Sequence, residues 1–178
     1  SDHPLCFGMP GSIAPRSANF ILQNSDWLLI LGARLDMALI AYAPAKLARA
    51  AKKIMVNIDL AEIEKVKNII DVPIVSDARA FIETMRQSAN AHPLTGGSEW
   101  LTRCNDWTQK YPFVLPSHYE DAGAVSMYAF SETMAQELPA EAVVLPGNAG
   151  NASELFLTAF SVKSGQRVFH NKGTGAMG

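Results

Sequence analysis

The first half of the chain alternates between short apolar runs and stretches with apolar residues at helical spacing. Trp27–Leu31 is an unbroken apolar run, too short for a free-standing helix and without the alternation of a half-exposed strand. It predicts a strand buried on both faces, which is typical of parallel sheets covered by helices. Residues 53–59 and 72–76 predict two more strands, with Pro73 at the start of its strand or at a sheet edge.

The stretches between these runs predict helices. Residues 16–24 and 78–88 each place apolar side chains on one face. Between the first two strands, Pro44 suits a first helical turn, and the alanine-rich, cationic residues 46–53 predict that the helix continues. Strand and helix units in tandem indicate a parallel sheet with right-handed crossovers.

The second half begins with a change in composition. Residues 90–97 are small or turn-forming, which indicates a linker. The patterns that follow predict helices at 98–111, 125–138 and 153–160, and strands at 142–145 and 166–170. The first of these strands is apolar throughout and is expected to be buried. The predicted fold class is therefore α/β, with parallel sheets flanked by helices, as in parts of two Rossmann-like or flavodoxin-like domains.

Candidate ligand-binding residues follow the first strand. Gly32 and Ala33 let the chain turn at the carboxyl end of that strand, and Arg34 and Asp36 come next. Open α/β sheets bind their ligands at this carboxyl edge. A cation and a carboxylate there suit a phosphate and a ribose hydroxyl. The alternative is that Arg34 and Asp36 only pair with each other on the surface.

Polar residues also end the next two strands. Asn57 and Asp59 lie near the same edge if the strands are parallel neighbours, although Asp59 is better placed to cap the following helix. Asp77 is placed as a helix N-cap, as a ligand carboxylate, or as both at once.

Three glycine-containing loops are further candidates. Gly8 and Gly11 permit close backbone approach to a ligand, or simply lead into a helix. Residues 146–153 and 171–178 each follow a predicted strand, and their backbone N–H groups favour an anion such as a diphosphate. One such loop is a weak signal, whereas two at one sheet edge indicate a cofactor cradle.

Composition argues against several classes of function. The 178 residues are 48% hydrophobic and 18% charged, with a net charge of -2, so there is no basic surface that predicts nucleic-acid binding. No apolar run reaches the roughly 20 residues of a membrane span, and no signal peptide is evident, so we expect a cytoplasmic protein without a membrane partner. Cys6 and Cys104 are isolated, which predicts reduced thiols and no zinc site.

Six segments occur in a familiar order: HPLCFGMPG, SANFILQNSDWLLILGARLD, KKIMVNIDLAEIEK, VSDA, VVLPGNAGNAS and GTGAMG. This order resembles the thiamine-diphosphate-dependent enzymes of the acetolactate synthase type, and the resemblance covers nearly the whole chain. It implies that residues 1–92 are the later part of the family's central domain, which binds FAD or another nucleotide. Residues 93–124 would then be a linker, and residues 125–178 the start of the thiamine-diphosphate-binding domain.

The resemblance implies FAD as a cofactor of the central domain. The contacts that it predicts are Gly8, Met9, Gly32, Ala33, Arg34, Asp36, Asn57, Ile58, Asp77 and Ala78. Gly8 and Met9 would lie against the flavin nucleotide, and residues 32–36 would hold its phosphates and its ribityl or ribose groups. Asn57 stands where an acidic residue is usual in the family, so a hydrogen bond from a ribose hydroxyl would be weaker there.

The resemblance also implies thiamine diphosphate and Mg²⁺. Ala149, Gly150 and Asn151 would approach the diphosphate, while Gly175 and Met177 would meet the aminopyrimidine, with Met177 under the bend of the cofactor. The family's metal ligands and its activating glutamate lie in segments outside residues 1–178. We therefore expect no catalytic or metal-binding residue in this chain, and we expect residues 1–178 alone to be an inactive fragment.

The implied activity is that of a 2-oxo acid decarboxylase and carboligase, which transfers a two-carbon unit from pyruvate to a carbonyl acceptor. The full-length protein is expected to be a homodimer or a homotetramer. A non-ligating decarboxylase or a diketone hydrolase fits the same residues. The alternative of a different class is a non-catalytic nucleotide-binding module that uses the first sheet alone.

Overall fold

The structure is a computed structural model that describes residues 3–37, 39–40, 42–91, 96–120, 123–147 and 150–170. The chain divides into two compact units. The first unit comprises residues 19–105, and the second unit comprises residues 1–18 and 106–178. Both units contain a parallel sheet with helices beside it, so the fold is α/β, as predicted.

The first unit is built on three parallel strands in the order β1-β2-β3. They are β1 (Trp27–Leu31), β2 (Lys52–Asn57) and β3 (Val72–Val75). The register pairs Leu31 with Val56, and Val56 with Ile74. All three strands therefore end at one edge, as the sequence predicted.

Helices and short 3-10 turns precede, connect and follow these strands. The α-helices are α1 (Arg16–Asn24), α2 (Leu60–Glu64), α3 (Ala78–Ala91) and α4 (Ser98–Lys110). One 3-10 turn, Pro44–Lys46, lies between β1 and β2, and another, Lys67–Ile69, lies between α2 and β3. Within the described residues, no helix is long and apolar enough to cross a membrane.

The helix predicted from Pro44 to residue 53 is wrong. Helical geometry stops after the 3-10 turn, because Leu47 is extended and Ala48 has a φ of +40°. A right-handed helix cannot continue through a positive φ. Leu47, Ala48 and Ala51 are instead buried in the core of the first unit. Tertiary packing thus overrides a local helical preference.

The core of the first unit lies on one face of β1. Ile30 belongs to the buried cluster and Leu28 packs against it, together with Met55 of β2 and Ile63 of α2. The alternate residues of β1 are exposed, Trp27 by 59% and Leu29 by 46%. The prediction that β1 is buried on both faces is therefore wrong, because only one of its faces is covered. In the described sheet, β1 is also an edge strand.

The second unit has a shorter sheet beside a helix pair. Its elements are the 3-10 turn Pro116–Tyr119, α5 (Met127–Glu137), β4 (Val143–Val144), α6 (Asn151–Ala159) and β5 (Arg167–Val168). β4 and β5 are parallel. The buried cluster comprises Ala135, Phe156 and Phe160, and the two phenylalanine rings stack with centroids 4.9 Å apart.

The strands of the second unit are shorter than predicted. Only two residues of each strand pair, whereas the sequence predicted strands at 142–145 and 166–170. Val143 and Leu145 are exposed, so the prediction of a fully buried strand is wrong. The partly buried Val144 and Val168 are the strand residues that pack against the helix pair.

Candidate functional site

The carboxyl edge of the first sheet begins at the turn after β1. The Gly32 N–H donates to the Val56 carbonyl at 2.8 Å, which continues the ladder by one residue. Gly32 has a φ of +61°. A Cβ built on it would lie 3.8 Å from the Ala78 Cβ, an ordinary contact distance. The turn therefore favours glycine for its backbone conformation rather than for lack of space.

Asn57 joins the ends of the three strands. Its side chain is buried, and its Nδ2 donates to the Ala33 carbonyl at 3.4 Å. Its Oδ1 accepts a hydrogen bond from the Asp59 N–H at 2.9 Å, and its backbone carbonyl accepts one from the Ser76 N–H at 3.1 Å. The structure thus brings together Ala33, Asn57 and the end of β3, as the edge prediction requires.

Arg34 carries a positive charge at this edge. Its Nη2 lies 2.7 Å from Glu62 Oε1, and its side chain is 73% exposed, whereas that of Glu62 is 15% exposed. The hydrogen bond from Arg34 is the main reason that the pKa of Glu62 lies below its ordinary value. Asp36 does not pair with Arg34: its Oδ1 accepts from the Leu39 N–H at 2.8 Å. The alternative of an Arg34–Asp36 surface pair is therefore wrong.

Two further aspartates at this edge cap helices. Asp59 Oδ1 accepts from the Ala61 N–H at 2.8 Å, which confirms its predicted structural role at the start of α2. Asp77 Oδ1 accepts from the N–H groups of Arg79 and Ala80 at 2.9 and 3.1 Å. Asp77 is therefore the N-cap of α3, which is one of the two roles that the sequence predicted.

The remaining predicted contacts of the first unit lie close to these groups. Ile58 directly follows Asn57 and is 72% exposed. Ala78 is half-buried at the first position of α3, where its Cβ faces the Gly32 turn. The eight residues that were predicted to contact FAD in this unit all lie within five residues of the carboxyl end of a strand.

Gly8 and Met9 belong to the second unit and line an open cleft of about 700 Å³. Gly8 has a φ of +89°, and a Cβ built on it would lie 3.5 Å from Pro15 Cγ. Met9 is exposed. Thr158 Oγ1 donates to the Ile13 carbonyl at 3.0 Å, which ties this loop to α6.

The start of α6 contains the described part of the predicted diphosphate loop. Gly150 precedes the helix with a φ of +58°, and Asn151 is the first helical residue. The Ser153 hydroxyl donates to the Gly150 carbonyl at 2.9 Å. The first backbone N–H groups of a helix have no acceptor within the helix itself, so a helix start favours an anion. Ala149, Gly175 and Met177 lie outside the described residues.

Glu62 is the edge residue that the sequence analysis missed. Its pair with Arg34 joins residues 28 positions apart in the chain, so no local pattern reveals it. One signal was available: Asp59 and Glu62 have the spacing of a helix N-cap and its third residue. That spacing places Glu62 in the first turn of α2, beside the strand ends.

The described residues include no group of three or more His, Cys, Asp or Glu side chains that could hold a metal ion. Cys6 and Cys104 are not joined in a disulfide. Cys104 is buried, and this burial raises the pKa of its thiol. The described edge offers an exposed cation, Arg34, and a buried amide, that of Asn57.

Comparison with known proteins shows a family match over the amino-terminal half of the chain, which includes most of the first unit and part of the second. Residues 1–85 match the model of the family described as thiamine pyrophosphate enzyme, central domain. These residues belong to that family. The match contains the whole edge described above, from Gly32 to Ala78, and also the loop with Gly8 and Met9.

Several curated relatives are acetolactate synthase large subunits. The chain is 35% identical over 130 residues to acetolactate synthase isozyme 1 large subunit of Escherichia coli, covering 70% of this chain and 22% of that protein. It is 32% identical over 148 residues to the large subunit of Corynebacterium glutamicum, covering 82% and 23%. The probable large subunit of Methanococcus aeolicus is 39% identical over 82 residues, covering 46% and 13%.

These alignments extend the similarity beyond the family match. The chain spans about a fifth of the length of the first two relatives. The chain is similar to segments of acetolactate synthase large subunits, the type that the order of its motifs resembles.

Proposed function

We propose that this chain is part of a thiamine-diphosphate-dependent enzyme of the acetolactate synthase type, and that the carboxyl edge of its first sheet holds the phosphates and ribose of FAD. The observation that carries the proposal is the exposed Arg34 guanidinium beside the ends of three parallel strands. Parallel α/β sheets bind nucleotides at this edge. An arginine there supplies charge-assisted hydrogen bonds to phosphate oxygens.

The residues present fit such a nucleotide. Gly32 permits close approach of a ligand to the backbone, because glycine has no side chain and accommodates the positive φ of this turn. Asn57 is held in place by two hydrogen bonds, so its amide is preorganised at the edge. In the proposal, Gly32, Ala33, Arg34 and Asp36 hold phosphate and sugar groups, while Asn57, Ile58, Asp77 and Ala78 line the ends of the second and third strands. The family resemblance assigns Gly8 and Met9 of the second unit to a flavin contact.

Thiamine diphosphate is the second proposed cofactor. Gly150 and Asn151, together with Ala149, would receive the diphosphate, and Gly175 and Met177 the aminopyrimidine. The start of α6 supports the diphosphate assignment, because N–H groups in a first helical turn attract anions. When bound, this cofactor supplies the electron sink for breaking and forming carbon–carbon bonds. Mg²⁺ would neutralise the diphosphate through ligands outside residues 1–178.

We propose pyruvate or a similar small 2-oxo acid as the substrate, and transfer of a two-carbon unit to a carbonyl acceptor as the reaction. The related large subunits are named acetolactate synthases, which supports a carboligase over a non-ligating decarboxylase or a diketone hydrolase. The proposal includes the domain division at 1–92, 93–124 and 125–178, a homodimer or homotetramer of the full-length protein, and a cytoplasmic location.

The experiment that tests the enzymatic proposal measures carbon dioxide release from pyruvate. The purified protein is assayed with added thiamine diphosphate and Mg²⁺, and a second sample contains residues 1–178 alone. We expect turnover by the full-length protein and none by residues 1–178. Absence of carbon dioxide release from any simple 2-oxo acid by the full-length protein would contradict the proposed activity.

Flavin absorbance separates the proposal from a nucleotide-binding module. Purified protein with flavin absorbance supports FAD at the edge of the first sheet. Colourless protein whose melting temperature rises with NAD, and which releases no carbon dioxide from 2-oxo acids, would favour the module instead.

A further inference from the structure

We infer that Glu62 is a positioning residue for the nucleotide phosphate: it holds the Arg34 guanidinium at the edge of the sheet before the cofactor binds. This inference rests on the proposed function, because it concerns the same edge. The direct observation is the 2.7 Å contact between Arg34 Nη2 and Glu62 Oε1.

Contacts on two sides hold the Glu62 side chain in position. Glu62 lies in the first turn of α2, which Asp59 caps immediately after the end of β2. The next residue, Ile63, is 2% exposed and packs in the core of the first unit. The carboxylate of Glu62 is also held from a second side, because Lys65 Nζ lies 3.3 Å from Oε2. Its oxygens are therefore fixed relative to the sheet.

The Arg34 side chain is much more exposed than that of Glu62. It is 73% exposed, and a long exposed side chain loses substantial rotamer freedom when it is held in one position. The contact with Glu62 uses Nη2, and a guanidinium carries five N–H donors. The pair thus fixes the direction of Arg34 while donors remain for an anion. The charge of Glu62 acts against binding, because a carboxylate repels a nearby phosphate.

Binding measurements with two variants separate these effects. Glu62→Ala removes both the contact and the charge, whereas Glu62→Gln retains an oxygen that accepts from Arg34 and removes only the charge. If Glu62 acts by positioning, Glu62→Ala weakens FAD binding about threefold to tenfold, the range expected when one side chain must be immobilised on binding. Glu62→Gln then binds FAD as tightly as the wild type, or slightly more tightly.

The chain offers a matched control on the same helix. Glu64 pairs with Lys67 at 2.8 Å, and its side chain is 54% exposed. Glu64→Ala therefore removes an ion pair from α2 without altering the Arg34 contact. We expect its dissociation constant for FAD to equal that of the wild type. Titrations of FAD into the purified protein, followed by flavin fluorescence well below the melting temperature, give all four constants.

A second readout needs no cofactor. Nuclear magnetic resonance of the arginine Nε–H groups reports whether the Arg34 side chain is ordered. We expect Arg34 to be ordered in the wild type and in Glu62→Gln, and to become mobile in Glu62→Ala. This readout distinguishes positioning from a general loss of stability, because only the Arg34 signal should change.

The inference is overturned if Glu62→Ala binds FAD as tightly as Glu64→Ala, or more tightly than the wild type, since repulsion would then dominate. It is also overturned if Glu62→Gln is as weak as Glu62→Ala, or if the order of Arg34 is the same in all variants. Failure of the proposed function looks different: the wild-type protein would not bind FAD, or Arg34→Ala would bind it equally well.

Discussion

The two sheets of this chain position their carboxyl edges in different ways. In the first unit, β1 and β2 pair over five residues and β2 and β3 over four, and Asn57 ties the strand ends together. In the second unit, β4 and β5 pair over two residues. There the packed elements are α5 and α6, through Ala135, Phe156 and Phe160.

This difference shows how each candidate site is supported. A strand ladder fixes the relative position of the residues that follow it, so the edge at Gly32, Asn57 and Asp77 is set by the sheet itself. The start of α6 follows a short strand, and its position depends on the packing of that helix. Substitutions that act on helix packing should therefore affect the second unit strongly, whereas the first edge should respond to changes at turns and caps.

The largest effect is expected from Phe156→Ala in the second unit. Phe156 is 6% exposed and stacks on Phe160, so its removal leaves a cavity in a small core. We expect a loss of about 3–5 kcal/mol in the free energy of unfolding, measured by chemical denaturation. Phe130→Ala is the control, because Phe130 is 41% exposed on α5, and it should cost less than about 1 kcal/mol. Equal losses for the two variants would contradict this account of the helix pair.

Substitution of one glycine by alanine in each unit compares the steric room in two turns. A Cβ on Gly165 would lie 2.9 Å from the Ala140 carbonyl oxygen, and its φ is +93°. Gly165→Ala therefore combines an unfavourable backbone conformation with a clash, and should cost about 2–4 kcal/mol of unfolding free energy. Gly32→Ala meets only the first penalty, about 1–2 kcal/mol. A larger loss at Gly32 than at Gly165 would contradict the description of the Gly32 turn as sterically open.

The sequence predicted elements well where the signal is local. The spacing of apolar residues located α1 at Arg16–Asn24 and β1 at Trp27–Leu31 with the observed bounds. The polar residues after the strands also predicted which groups meet at the edge, because parallel strands bring their carboxyl ends together. The role of Asp59 as a cap followed from its position directly before a helix.

Other features depend on contacts between distant residues and escaped prediction. The stretch 46–53 has a helical composition, yet the burial of Ala48 at a positive φ ends the helix. Trp27 and Leu29 are apolar but exposed, because burial depends on which face of the sheet is covered. The Arg34–Glu62 pair joins a strand end to a later helix, and only the fold brings these residues together.

Removal of a cap should have a moderate effect on the first edge. Asp77→Ala leaves the N–H groups of Arg79 and Ala80 without their side-chain acceptor. We expect a loss of about 0.5–2 kcal/mol in unfolding free energy. Asp77→Asn retains an acceptor oxygen and should recover most of the loss. If Asp77→Asn and Asp77→Ala are equally destabilised, the capping role assigned to Asp77 is wrong.

The smallest expected effect is the pH dependence of the stability that Glu62 contributes. Arg34 lowers the pKa of Glu62 in the folded protein, so the ionised carboxylate stabilises the fold above the ordinary glutamate pKa. This contribution is lost as the pH falls through the lowered folded-state pKa. The stability difference between the wild type and Glu62→Gln should therefore be constant near neutral pH and shrink as the pH drops below about 4.3. A difference that grows in acid would contradict the assigned direction of the pKa shift.

In the proposed function, Arg34 at the edge of the first sheet binds a phosphate of FAD. Titration of FAD into the purified protein, compared between the wild type and Arg34→Ala, tests it most directly. We predict saturable binding by the wild type and binding at least about tenfold weaker in Arg34→Ala, since a charge-assisted hydrogen bond is lost. Equal affinity of the two proteins for FAD, or no binding by the wild type, would contradict the claim.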